Sequence, residues 1–247
     1  MNSLKNKTYI IAGASSGIGK NIAEYLTQKC SANVILIARR YEVIQSLTKK
    51  LPGNNYAIEF DFNNIEQIAE IFSKIQDWNI KVDGLVYSAG IAPLFAIKEN
   101  NPIEAEMTMR VNALAFVECG KYMLTSECVN KNAAMVAVSS IVSMATTNRQ
   151  SAYAASKAML NTYVKYLAKE ALEKMRVNAV LPGVVETEMY AALREKSENL
   201  DQRTKENQPL GIIPAEQVSK LVTFLLSEDA KFITGSLYTI DGGYLLT

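Results

Sequence analysis

The 247-residue chain contains no histidine. That absence excludes nucleophilic systems built on a Ser-His-Asp or Cys-His relay and zinc sites that rest on imidazole, so no metal centre is expected. Acid–base chemistry near neutral pH then falls to Tyr, Lys, Asp, Glu or Cys. Cysteine is scarce. Cys30, Cys119 and Cys128 are odd in number, lack CxxC spacing, and read as free thiols of a reducing compartment. No apolar run reaches the roughly 20 residues of a membrane span. The polar N-terminus, MNSLKNKTYIIAGA, carries no long apolar core and no small-residue cleavage pattern, so a cytoplasmic protein without a signal peptide is expected. An excess of one charge is missing too: 26 Lys and Arg oppose 25 Asp and Glu, with no block of one sign. That balance argues against nucleic acid and membrane surfaces as partners.

What is present is alternation. Short apolar, β-branched runs (TYIIAGA, NVILIA, YAIEF, GLVYSAG, AAMVAVSS, RVNAVLPG) are separated by segments of helical period such as GKNIAEYLTQK and AYAASKAMLNTYVKYLAKEALEK. Buried parallel strands joined by helices produce this pattern, and it predicts one α/β domain over 1–247 with a doubly wound sheet of about seven strands. In such sheets the ligand sits beyond the carboxyl ends of the strands.

Gly13-Ala14-Ser15-Ser16-Gly17-Ile18-Gly19 joins the first strand to the first helix. Glycines there permit a tight turn and let backbone N–H groups approach a pyrophosphate at a helix N-terminus. The stretch also matches the G-x-S-x-G nucleophile elbow, which needs a histidine base that the chain lacks. A phosphate-binding P-loop would need glycine at Ala14 and Ser or Thr at Asn21. Dinucleotide binding remains.

Gly13-xxx-Gly17-x-Gly19, Tyr153-xxx-Lys157, Ser140 thirteen residues before that tyrosine, and Asn112 in Val111-Asn112 form one ordered set. With Ala89-Gly90, Pro182-Gly183, Thr234-Gly235 and Asp241-Gly242-Gly243, the set resembles the short-chain dehydrogenase/reductase family across essentially the whole chain. The resemblance implies a Rossmann fold and hydride exchange between a nicotinamide cofactor and a ketone or secondary alcohol. It implies that Tyr153 carries the proton, Ser140 orients the substrate oxygen, Lys157 holds the nicotinamide ribose, and Asn112 positions a water linking Lys157 to solvent. Chemistry supports the first of these roles: a tyrosine of ordinary pKa, about 10, is a poor base near neutrality, and a nearby ammonium together with the positive ring of the oxidised cofactor is expected to lower it. Tyr153 and Lys157 are four apart and share a helix face. Ser139 and Ser143 compete with Ser140, which spacing favours.

The same resemblance assigns Asp61 and Phe62 to adenine, Ala89 and Gly90 to the cofactor's middle, and Pro182, Gly183, Val185 and Thr187 to nicotinamide. Asp61 has a rival role in a turn, beside an expected capping box at Asn63-Asn64-Ile65-Glu66. Where NAD-preferring relatives carry a ribose-binding carboxylate after the second strand, this chain has Ala38-Arg39-Arg40. Guanidinium groups suit a ribose phosphate, so NADP(H) is expected, Arg40 having the alternative of a solvated helix start. Tyr87-Ser88 replaces the family's Asn-Asn, and Ala12 a customary threonine. A polar stretch, 187–214, is expected to form a substrate lid or a plain solvated helix, its chain position favouring the lid.

Length, the PGxxxTxM segment and the chain's close are most similar to bacterial 3-oxoacyl-[acyl-carrier-protein] reductases. Lys131 and Lys174 would then help an acidic carrier protein dock. Steroids, sugars, polyols and other ketones are the alternative substrates, and a silent NADP(H) sensor is the alternative function. The family also implies a homotetramer built on helices around 102–130 and 151–174, with Met107, Val111, Leu114, Met159 and Tyr163 available to the interface or to the core.

Overall fold

The structure, a computed structural model, describes residues 2–195 and 199–247. Seven strands form one sheet: β1 (Thr8–Ala12), β2 (Asn33–Ala38), β3 (Tyr56–Glu59), β4 (Val82–Tyr87), β5 (Val129–Val138), β6 (Met175–Pro182) and, last in the chain, β9 (Leu237–Ile240). All pairings in it are parallel, in the order β3-β2-β1-β4-β5-β6-β9. The expected doubly wound Rossmann sheet is therefore observed. Two short strands, β7 (Val185–Glu186) and β8 (Ile213–Pro214), pair separately.

Alternation along each strand explains the layers. Ile10 and Ala12 of β1 point into one core with Ile35, Tyr87, Phe116 and Leu160. Their neighbours Tyr9 and Ile11 point to the other with Ile22, Leu26, Leu36 and Val222. Both faces of the central strands are thus buried, which is why they read as unbroken apolar runs, while the edge strands β3 and β9 are only partly covered. Helices α1 (Gly17–Cys30), α2 (Tyr41–Lys50) and α9 (Ala215–Leu226) supply the second core. Helices α3 (Ile68–Asp77), α5 (Ala115–Thr125) and α6 (Ser151–Glu170) supply the first. In α3, Ile68, Ile71, Phe72 and Ile75 recur at helical spacing and are all buried. The cysteines are free and buried. Among the described residues no helix is long and apolar enough to cross a membrane.

Two local features depart from expectation. Asn63 Oδ1 is buried without a hydrogen-bond partner, and Glu66 pairs with Arg110 at 2.8 Å, so no capping box forms there. The carboxylate gains a guanidinium partner, a stronger hydrogen bond than a peptide N–H offers. Between α4 (Pro102–Met109) and α5, residues Arg110–Leu114 form a π-turn.

Candidate active site

The strand order reverses between β1 and β4, and a cleft opens beyond the carboxyl ends of those strands, as the topology requires. Its volume is about 660 Å³. Gly13, Ser15, Ser16, Gly17 and Ile18 line one wall. Gly13 has φ +83°, and a Cβ there would lie 2.6 Å from the Ala89 nitrogen, so the turn and the close approach to β4 both demand glycine. Gly19 stands behind the wall, where a Cβ would overlap the Gly13 carbonyl; its role is packing.

At the far end of this wall lie Ala38, Arg39, Arg40, Asp61 and Phe62. Arg40, exposed at the start of α2, donates from Nη2 to Ser15 Oγ at 3.0 Å and Ser15 O at 3.2 Å, tying that helix start to the glycine loop. Asp61 accepts from the Asn63 N–H at 2.9 Å, so it closes a turn while lining the cleft. Ala89, Gly90, Pro182, Gly183, Val185 and Thr187 complete the cofactor-side lining. A cradle of loop amides at the start of α1 fits the diphosphate of a dinucleotide.

Ser140, Tyr153 and Lys157 meet in the same cleft. Ser140 follows β5, and Tyr153 and Lys157 lie on the first turns of α6. The Lys157 amine is buried, donates to Val138 O at 2.8 Å, and sits 5.6 Å from the centre of the Tyr153 ring. Ser139 donates to Lys157 O, and Ser143 donates to Ser140 O at 2.6 Å. The rival serines thus spend their hydroxyls on backbone.

The protein's own groups do not supply the lowering expected at Tyr153. Desolvation raises the Tyr153 pKa above its ordinary value, against a smaller lowering by the Ser140 hydroxyl. Lys157 does not lower it: burial pulls the lysine's own pKa from 10.5 down to about 8, and its ammonium is turned onto a carbonyl. Burial disfavours phenolate and ammonium alike, and here it outweighs their mutual attraction. The protein's own groups hold Tyr153 as a neutral phenol, poised to donate.

Asn112 is fully buried in the π-turn, behind the cleft wall. Its Nδ2 donates to Ile91 O and to Ser156 Oγ, each at 2.9 Å, and its Oδ1 accepts from Ile91 N at 2.8 Å. Both amide hydrogens are committed to protein, so the side chain acts as a clamp between the post-β4 loop and α6. Tyr87, at the usual asparagine position, is also fully buried and donates to Val111 O at 2.5 Å. The Ala115 N–H reaches back to Arg110 O, leaving the Val111 carbonyl without the partner a regular helix would give it; the phenol fills that place. Ser88 lines the cleft.

The 187–214 stretch forms α7 (Glu188–Arg194) and α8 (Leu200–Asn207) above a neck made by β7 and β8; residues 196–198 of the expected lid lie outside the described residues. Thr187 caps α7, and Thr187, Glu188 and Tyr190 line the cleft. Glu188, missed in the sequence, accepts from the Gly17 N–H at 2.7 Å, so the first residue of α7 touches the glycine loop. Gln208 is also absent from the expected set; fully buried, it bonds Val184 N and O and Gly211 O, fastening the end of α8 to the segment before β7. A polar residue inside a polar run carries no periodic mark that would have singled it out.

Lys131 and Lys174 are exposed at the amino ends of β5 and β6. Lys131 stands seven residues, about 23 Å of strand, from Val138 at the cleft. Within one chain, then, neither lysine flanks the entrance. Val111 belongs to the core and Met107 lines the cleft, while Leu114, Met159 and Tyr163 are half-buried.

Comparison with known proteins agrees with this geometry. Residues 13–245 match the family model described as enoyl-(acyl carrier protein) reductase. The 3-oxoacyl-[acyl-carrier-protein] reductase of Thermotoga maritima is 33% identical, over 98% of this chain and 99% of that protein. Carbonyl reductase family member 4 of Xenopus laevis is 32% identical over 98% and 99%. A short-chain type dehydrogenase/reductase structure from Mycobacterium ulcerans superposes with TM-score 0.89 at 25% identity, covering 99% of this chain and 91% of that one. By motif, by fold and by these relatives, the chain belongs to the short-chain dehydrogenase/reductase family of oxidoreductases, whose Rossmann fold binds a nicotinamide cofactor.

Proposed function

We propose that the protein is an NADP(H)-dependent reductase of ketones to secondary alcohols, acting on 3-oxoacyl thioesters carried on acyl carrier protein. The observation that carries the reading is that Ser140, Tyr153 and Lys157 share one cleft with the glycine loop and with Arg39 and Arg40. The bound nicotinamide supplies the hydride. Tyr153 delivers the proton from its phenolic oxygen to the substrate oxygen, and Ser140 donates a hydrogen bond that orients that oxygen. Lys157 faces the same region and is suited to the ribose hydroxyls. Ala38 removes the carboxylate that would repel a ribose phosphate, and Arg39 and Arg40 supply its partners. Asp61 and Phe62 stand where adenine would lie, and Pro182, Gly183, Val185 and Thr187 where nicotinamide would. The domain with its 187–214 lid works as one unit in a homotetramer; the exposed Ile103 on α4 and Tyr166 on α6 support association there.

The thioester assignment rests on the names of the bacterial relatives. NADPH oxidation with acetoacetyl thioesters, steroids and sugars tests it: turnover of the thioester is expected, and turnover of only another ketone would replace the substrate while keeping the chemistry. For the cofactor, the wild type is expected to favour NADPH by kcat/KM, and Arg39→Asp to shift the ratio toward NADH at least tenfold, a change of about 1.4 kcal/mol. Equal or better use of NADH by the wild type would overturn the NADP(H) assignment.

A further inference from the structure

Ser140 follows β5 on a short 3₁₀ turn, Ile141–Ser143, and its backbone carbonyl is gripped twice by Ser143. The Ser143 N–H donates to it at 3.2 Å and the Ser143 hydroxyl at 2.6 Å. That hydroxyl in turn accepts from Asn161 Nδ2 at 2.8 Å. Asn161 follows Tyr153 and Lys157 at four-residue intervals on α6, so the three side chains stand along one helix face. Ser143 does not line the cleft, and Asn161 is 8% exposed. The Asn161 Oδ1 is buried without a hydrogen-bond partner, a cost that apolar packing would not carry. A buried amide with one end orphaned and the other aimed at the serine turn is explained by what it holds.

We propose that Asn161 and Ser143 form a positioning relay that sets the place of Ser140 relative to Tyr153 and Lys157. The proposal rests on the reading of Ser140 as the oxygen-orienting group. The helix that carries the acid and the lysine also carries, one turn on, the amide that fixes the serine's backbone. Registration between the two catalytic walls then does not depend on the distant lid. Ser139, donating to Lys157 O, ties the same turn to α6 from the other side.

The relay separates activity from stability. Asn161→Leu removes the orphaned acceptor, while the Ser143 hydroxyl keeps the Ser140 carbonyl as its acceptor. The thermal midpoint is therefore expected within about 2 °C of the wild type, while kcat falls about tenfold with cofactor affinity unchanged. Ser143→Gly is expected to lower kcat similarly, and Ser143→Thr, which retains the hydroxyl, to restore it to within about threefold. Hydrogen exchange at the Ser143 amide, which requires no turnover, is expected to accelerate in Asn161→Leu. Unchanged kcat together with unchanged exchange in Asn161→Leu would overturn the relay. So would proportional losses of kcat and thermal midpoint in all three variants, since that is the mark of a purely structural role. If the wild type and Ser140→Ala turn over carbonyl substrates equally, the catalytic reading of Ser140 fails instead, and the exchange rates alone decide whether the relay exists.

Discussion

The two walls of the cleft are built by different physics. The catalytic wall is stitched with buried and part-buried bonds, most of them to backbone: Lys157 to Val138 O, Ser143 to Ser140 O, Asn112 to Ile91 O and Ser156 Oγ, Tyr87 to Val111 O. The α7–α8 segment, the proposed lid, carries ion pairs at the surface. Arg194 bridges Glu186 at 2.8 Å and Asp201 at 2.9 Å and lies over the Tyr190 ring, whose hydroxyl donates to Asp201. Buried bonds specify geometry because their alternatives are unpaired groups in a medium without water. Exposed ion pairs have water as a ready alternative and give way cheaply. Proton transfer demands fixed atoms, and admission of a substrate demands a segment that yields.

The sharpest way to break the contrast is to remove one atom from the stitched wall. Tyr153→Phe deletes the phenolic oxygen and leaves the ring in place. The rate of carbonyl reduction is expected to fall about 10²–10⁴-fold, the usual contribution of a positioned acid, with cofactor affinity and thermal midpoint near the wild type. Steady-state kinetics beside a cofactor titration reads both. A variant turning over at the wild-type rate would show that the proton comes from elsewhere.

Which of these groups could be read before folding follows from how local each signal is. The sheet was legible because its central strands are buried on both faces, and the glycine loop because its conformation is dictated within seven residues. Ser140, Tyr153 and Lys157 were legible as a spaced set. The direction of the Tyr153 shift was not, because desolvation depends on what the fold packs around the phenol. Likewise nothing near Asn161 or Tyr87 announces a partner 18 or 24 residues away in sequence. Lys131 and Lys174 are a different case. Lys131 stands near the amino end of β5 and Lys174 just before β6, and ligands bind beyond the strands' carboxyl ends, so strand polarity alone placed them at the far end from the cleft.

Lys157 sharpens the comparison from the side of stability. Its amine is buried on the catalytic wall with a pKa near 8 rather than 10.5. Below about pH 8 the folded protein carries the whole cost of burying an ammonium, and at the pKa unit value that cost is about 3 kcal/mol. Between pH 8 and 10.5 the unfolded chain binds more protons here than the folded one, so this contribution to stability improves as pH rises. Above 10.5 both states are neutral and the cost is gone. Lys157→Met is therefore expected to be inactive yet more stable at pH 7, by about 1–3 kcal/mol after the lost hydrogen bond to Val138 O is subtracted. Its advantage is expected to shrink steadily toward pH 10.5. Urea unfolding of both proteins at pH 7, 8.5 and 10 checks this, and a constant difference would mean that Lys157 is not desolvated.

The smallest effect belongs to the lid. Arg194→Ala removes both of its ion pairs and the cation above Tyr190, which looks on a contact map like a heavier injury than the loss of one phenolic oxygen. Yet the guanidinium is held up in pKa by two exposed carboxylates and faces water throughout, so screening already weakens what it contributes. The thermal midpoint is expected to move by less than about 2 °C and kcat by less than about twofold. KM for the substrate is expected to rise about two- to fivefold, because the lid closes over the bound molecule less often. Raising salt should bring the wild type's KM toward the variant's, since screening and deletion act on the same pairs. A variant with wild-type KM at low salt would show that the lid's place over the cleft is set by the neck of β7 and β8 and by Gln208, and that the ionic half of the contrast has no kinetic consequence.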